Sequence, residues 1–370
     1  MKRTSSSLIT LFLLLGLGGV AGAAPKPVKV TVDARIELMS AVQLLSGYQE
    51  KFGLITRLDF PYKQKMANYF GKYKDHRAVK LFDEMSKNDF SFDAPPALMV
   101  CLSDPPGLVL RDPYKCLGRE EADVLMKRAG GRQQLLDFVE ALREFARDTD
   151  LQKFLEANTD TYEAMTEEAD SKLRNMEVIG ALQDYYGSSK PVLATVVLAP
   201  LLHEGGYGPR IRHTDGTVEL FDICGPSVVQ EGRPSWGAPE GIRRLAWHEL
   251  GHSFANPLVD KHKRALADCS SLFDPIASQM GRQAYADWHT CVYEHVVRAV
   301  CARLIYKAEG ARAAQEFVDN DTKKGFAYLK PLCKRLEDYE KHRDKYPTLE
   351  SFFPELVEVF KSLDGILGGH

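Results

Sequence analysis

The chain has 370 residues, of which 44% are hydrophobic and 27% charged, with a formal charge of −3. This is the composition of an ordinary soluble globular protein, long enough to bury a substantial core in one large domain or two smaller ones. No basic block stands out, which argues against both a nucleic-acid footprint and a polybasic membrane patch.

Lys2 and Arg3 precede an apolar run from Leu8 to Val20, and Ala21-Gly22-Ala23 offers small residues for signal peptidase. A thirteen-residue run is short for the ~30 Å hydrocarbon layer, so residues 1–23 read as a cleaved signal peptide and not as a retained anchor. The mature chain, with 46 basic against 51 acidic residues, is expected to be exported, periplasmic or secreted, with no integral membrane segment.

Residues 24–188 read as a mainly helical region. Ile36, Met39, Val42, Leu45 and Tyr48 fall at helical spacing within Arg35 to Tyr48. Similar patterns cover 76–87, 119–148 and 150–186, the last stopping at Gly187. The proline-rich stretch from Phe90 to Leu110 reads as a long ordered loop. Residues 189–370 form a second region. Val192 to Leu198 has the composition of a buried strand. Glu204 to Pro209 is a glycine-rich turn, and Asp215-Gly216 introduces a second strand, Thr217 to Ile223. Helices follow almost to the end. The expected fold is α+β, predominantly helical, with a small β-sheet beside an active-site helix.

Seven cysteines remain in the mature chain, and their odd number leaves at least one thiol unpaired. Cys101 and Cys116 flank the turn Asp104-Pro105-Pro106-Gly107 and are the best-placed pair for a disulfide. Cys291 and Cys301 lie ~15 Å apart along one predicted helix and cannot bond to each other.

Residues 248–252 read His-Glu-Leu-Gly-His. Histidines four apart project from one helix face, so His248 and His252 can reach one zinc ion, while Glu249 lies close enough to take a proton from water there. Pro239 and Glu240 suit a first turn, and Ile242, Leu245, Ala246, Leu250, Phe254 and Ala255 give a buried face. Asn256-Pro257 reads as the stop. A histidine core with no metal is the competing explanation of the motif.

Catalytic zinc takes three protein ligands. The metzincin positions after His252 hold Ala255 and Leu258, which excludes that class. Glu294 is the best third ligand: it sits on an apolar helix with Val292, Val296, Val297, Val300, Leu304 and Ile305, where a lone carboxylate is costly. Arg298, four residues on, is the competing partner for Glu294. His289 and His295 are the alternatives as ligands. His203, His213, His262 and His342 have no pattern beside them.

The stretch His248 to Leu258, with Glu294 to Ala299 some forty residues later, resembles a family of exported bacterial zincin-like proteins catalogued as a domain of unknown function. Val32 to Leu38 and Phe90 to Pro96 share the resemblance, which therefore runs over most of the mature chain. It implies a zinc metallopeptidase of the glutamate-ligand (gluzincin) type. Thermolysin-like enzymes carry Asp where this chain has Arg298, and zinc aminopeptidases place their glutamate where it has Ser270 or Ser271.

The expected activity is zinc-dependent hydrolysis of peptide bonds, with His248, His252 and Glu294 as ligands and Glu249 as general base. The partner is then a peptide or protein substrate. Tyr285, Tyr293, His262, His289 and Tyr328 are candidates for oxyanion stabilisation. Val192 to Leu198 and Gly205 to Ile211 stand, in chain order, where an edge strand could pair with an extended peptide; an ordinary hairpin is the alternative. Two other activities fit the same residues: a catalytically silent peptide-binding protein, and a zinc hydrolase of a non-peptide amide or ester.

Overall fold

A computed structural model describes residues 28–367; the expected signal peptide lies outside the described residues. The protein is α+β and predominantly helical. Its main sheet contains β1 (Lys29–Thr31), β2 (Val192–Leu198), β3 (Gly206–Tyr207), β4 (Arg210–Arg212) and β5 (Val218–Cys224). β1, β2 and β5 run parallel, while β3 and β4 pair antiparallel with the far edge of β5. A separate hairpin joins β6 (Val228–Gln230) to β7 (Arg233–Ser235).

The link from β2 to β5 is compact because β3 and β4 act as one interrupted return strand. Gly206 pairs with Cys224 and Arg210 with Leu220, so the register does not slip and Gly208 falls opposite Asp222. Pro209 interrupts the ladder, since it has no N–H to donate, but its carbonyl still accepts from Phe221 N at 2.9 Å.

The central strands are buried on both faces, as their apolar runs require. Val197, Phe221 and Ile223 join a core with Phe70, Phe82, Phe138 and Phe145 from the helices between residues 34 and 156. Ala194, Val196, Leu198, Leu220 and Cys224 join the other core, with Leu182, Leu250, Val297 and Phe352. The sheet is therefore a middle layer. The helices Thr159–Leu173 and Ile179–Tyr186 share the second core.

Several sequence expectations need correction. The loop expected at 90–110 contains a helix, Ala94–Val100, because Pro95 and Pro96 occupy its first turn, where a missing N–H costs nothing. The pattern over 119–148 is two helices, Arg119–Arg128 and Arg132–Asp148, parted where Gly130 and Gly131 take φ of 81° and 109°. The pattern over 150–186 is three helices, Leu151–Glu156, Thr159–Leu173 and Ile179–Tyr186. That over 35–48 is the helix Ala34–Leu45 followed by Tyr48–Phe52.

Pro257 does not stop its helix, which runs from Pro239 to Lys261. Proline at 257 leaves the Ser253 carbonyl without its helical donor. Arg210 Nη1 fills that place, donating to Ser253 O at 3.1 Å, while its Nη2 pairs with Glu121. The Cys101–Cys116 bridge is not formed. All seven cysteines are free thiols, and the buried Cys101 and Cys116 thiols lie close enough to act on each other. Backbone contacts close that loop instead, including Ser103 N to Val109 O and Arg111 N to Cys101 O, both 3.0 Å.

Candidate metal centre

Two long helices build the site. The first, Pro239–Lys261, carries His248, Glu249 and His252; the second, Trp288–Glu309, carries Glu294. Ile242, Ala246, Leu250 and Ala255 are fully buried on the first, and Val292, Val296, Val297 and Val300 on the second. Gly251 lies against Val297, where a Cβ would be 3.5 Å from Val297 Cγ1. Apolar packing thus fixes the two helix backbones around polar groups that packing alone does not require.

His248 Nε2 and His252 Nε2 are 3.3 Å apart. Glu294 Oε1 is 3.3 Å from His252 Nε2, and Glu294 Oε2 is 3.5 Å from His248 Nε2. Ligands held 2.0–2.1 Å from one ion at the tetrahedral angle stand about 3.3 Å from each other. The three side chains therefore form a triangle of the right size for one metal ion, and they are the group among the described residues that could hold one. His289 and His295 are not part of it. His289 bonds Asp260 at 2.9 Å, and the fully buried His295 sets its Nδ1 2.7 Å from Cys291 O.

Supporting contacts orient two of the three side chains, His252 and Glu294. His252 Nδ1 lies 3.1 Å from Asn256 Oδ1, an acceptor for its N–H, so in the neutral ring Nε2 is the nitrogen left for a metal. Arg298 Nη2 reaches Glu294 Oε2 at 3.1 Å, Nη1 reaches Asp321 Oδ2 at 2.8 Å, and the guanidinium lies 4.0 Å over the Phe326 ring. The Glu294–Arg298 pair is thus real, yet it leaves the carboxylate facing both imidazoles.

Burial is the strongest influence on every charge here, and it opposes ionisation. It pushes His248 well below the usual histidine range, with Arg298 adding to the effect. Burial also works against His252, but the Glu294 carboxylate and its hydrogen bond raise that imidazole to about 9. Glu294 is held well below the ordinary carboxylate range, against burial, by His248, His252 and Arg298. Burial lifts Glu249 to about 7. Its Oε1 stands 4.0 Å from His248 Nε2, beside the triangle and outside it.

The return strand lies directly on this helix. A Cβ on Gly208 would sit 2.2 Å from the Glu249 carbonyl oxygen, and one on Gly206 would sit 2.9 Å from Glu249 Cγ. Neither position can carry a side chain, so the glycine-rich turn is a requirement of close approach as well as of chain reversal. Tyr207, between them, has its hydroxyl 3.2 Å from His203 Nε2 and lies close enough for the Glu249 charge to act on its phenol.

Of the expected oxyanion partners, Tyr285 is the one beside the triangle: its phenol lies close enough for Glu294, Arg298 and Glu249 to act on it. His289 and Tyr293 are held by Asp260. Tyr328 donates to Leu272 O at 2.5 Å, and His262 stacks on Phe353 with centroids 5.1 Å apart. The sequence reading missed Asn256, Tyr207 and Asp222. Asn256 shares the i,i+4 face of His248 and His252, and Asp222 is a charge inside the apolar run Leu220 to Cys224; both signals were present.

Residues 28–359 match the family described as Domain of unknown function (DUF4932), and the chain belongs to that family. No curated protein and no solved structure matches it.

Proposed function

We propose that this DUF4932 member is a zinc-dependent hydrolase of peptide bonds, with His248, His252 and Glu294 holding the metal and Glu249 as general base. The observation that carries the reading is the triangle of 3.3, 3.3 and 3.5 Å between two imidazole nitrogens and one carboxylate, with a second carboxylate beside it. Two nitrogens and one oxygen are the donor set of a catalytic zinc with an open fourth position. Zinc bound there supplies Lewis acidity, polarising a carbonyl and bringing the pKa of water towards about 7.

The chain's own groups supply the rest. Glu249, poised near neutrality, takes the proton from the attacking water and delivers it to the leaving amine. Arg298 and Asn256 fix the ligand atoms in direction. Tyr285 donates a hydrogen bond to the oxygen that becomes negative as the carbonyl is attacked. Burial keeps that phenol protonated. An extended peptide is the substrate form the site favours. β3 ends the sheet beside Glu249, and no described strand pairs with its outer edge, so its main-chain groups there can bond a substrate backbone.

The reading also places the protein outside the cytoplasm, since Lys2 to Ala23 has the order of a cleavable signal peptide. No described helix is long and apolar enough to cross a membrane. The test is cleavage of a diverse peptide library by the zinc-loaded mature protein, with and without chelator, beside Glu249→Gln. Cleavage abolished by both treatments supports the proposal. Zinc-loaded protein that binds peptides and cleaves none would make it a binding protein.

A further inference from the structure

Asp222 lies on β5, the strand that faces the His-Glu helix, and its carboxyl is fully buried. Neither of its oxygens has a hydrogen-bond partner among the described residues. A buried carboxyl left in this condition is costly, and an apolar residue would pack more cheaply in the strand between Phe221 and Ile223.

Its surroundings are specific. Asp222 stands opposite Gly208 in the sheet register, so its side chain leaves the same sheet face on which Gly208 meets the Glu249 backbone. One point in space defines the closeness: a Cβ on Gly206 would lie 2.9 Å from Glu249 Cγ, 3.2 Å from Glu249 Cδ and 3.1 Å from Asp222 Oδ1. The two acidic side chains therefore border the same small gap, kept open by the glycine. We propose that Asp222 is a positioning residue for Glu249, holding the base carboxylate through a hydrogen bond across the gap that Gly206 leaves.

The chemistry of the pair supports this direction of bonding. Burial, and then the nearby Glu249 charge, pushes the Asp222 carboxyl well above its usual range, so it keeps its proton. A neutral carboxyl has one O–H to donate, and Glu249 is the acidic side chain across the gap that can accept it. The bond would fix which Glu249 oxygen turns towards the water and which towards the sheet. It would also explain why the strand keeps an acid where its neighbours are apolar. Glu249 acting as base rests on the peptidase reading; the placement of the two acidic side chains about one gap does not.

The test compares zinc-loaded wild type with Asp222→Asn, Asp222→Leu and Glu249→Gln. Asparagine keeps a donor, and leucine keeps the volume without one. With a cleavable peptide, Asp222→Leu should bind one zinc, melt no lower than wild type and lose about 10- to 100-fold in kcat. Asp222→Asn should recover most of that loss. A purely structural aspartate would give the reverse pattern, with lower melting and unchanged kcat per folded molecule, and that result overturns the proposal.

A second measurement is independent of hydrolysis. The infrared difference between wild type and Asp222→Asn should contain the carbonyl stretch of a protonated carboxylic acid at neutral pH, and Glu249→Gln should move that band. A missing band, or one indifferent to residue 249, also overturns the proposal, even where Asp222→Leu fails to fold. If the band behaves as stated and no form cleaves peptides, the peptidase reading falls and the carboxyl contact stands.

Discussion

His248 Nε2 and His252 Nε2 face each other at 3.3 Å, inside a core where burial disfavours a proton on either. Glu294 closes the triangle, so the three groups together call for a cation between them, and a divalent ion answers that need without charging either ring. The purified mature protein should therefore carry about one zinc per chain. Chelation should lower its thermal midpoint, and zinc should restore it, adding about 2.7 kcal/mol of stability when free metal exceeds Kd a hundredfold. Elemental analysis of His248→Ala and His252→Ala should find the metal gone. Full zinc in either variant would dismiss the site.

Glu249 is set apart from the three proposed ligands by position, 4.0 Å from His248 Nε2 and against the return strand. Glu249→Gln keeps the shape and removes the proposed base. Zinc content and KM should hold, while kcat falls by roughly 10²- to 10⁴-fold. Steady-state kinetics on any cleaved peptide decides it. An unchanged kcat would remove Glu249 from the chemistry.

Arg298 serves two buried acids at once, Glu294 through Nη2 and Asp321 through Nη1. Arg298→Met leaves both without that partner, and breaking a buried pair from one side costs about 3–5 kcal/mol. Lysine at 298 should recover only part, because one ammonium cannot reproduce a two-pronged guanidinium. The loss should be larger in metal-free protein, where Glu294 has no ion to neutralise it. Denaturant unfolding with and without zinc measures both. Equal losses in the two states would mean that Arg298 does not support the metal ligand.

What the sequence made legible was local. The spacing of His248 and His252, and the apolar setting of Glu294, are properties of single helices, and they led to the residues that converge. The buried strand at 192–198 was visible from its β-branched run. Contacts distant in sequence were not visible. Helix continuation through Pro257 depends on Arg210, some forty residues earlier. β1 is only three residues long and is a strand because β2, more than 160 residues later, pairs with it. The glycine turn revealed itself as a turn, but its contact with Glu249 exists only once β3 lies on the helix. Gly130-Gly131, by contrast, was a readable break that helical periodicity on both sides outweighed.

A second buried acid gives a prediction outside the metal site. Glu37, on the helix Ala34–Leu45, is fully buried and accepts a hydrogen bond from Tyr62, whose hydroxyl also lies 2.8 Å from that of Tyr162. Its Oε1 has no hydrogen-bond partner among the described residues. Burial raises the carboxyl to about 7, despite the opposing hydrogen bond from Tyr62. An unfolded glutamate releases its proton near pH 4.3, so between that pH and about 7 the folded state holds more protons and stability falls as pH rises. Above pH 7 the full cost is present, on the order of 4 kcal/mol at most. Glu37→Gln can still accept from Tyr62 but carries no charge. Its advantage in melting temperature over wild type should be smallest at pH 4, grow through pH 5 and 6, and level off above pH 7. Thermal unfolding of the two proteins across that range measures the gap. A gap that does not change with pH would mean that Glu37 titrates alike in folded and unfolded chains, and that the Tyr62–Tyr162 pair offsets its burial in full.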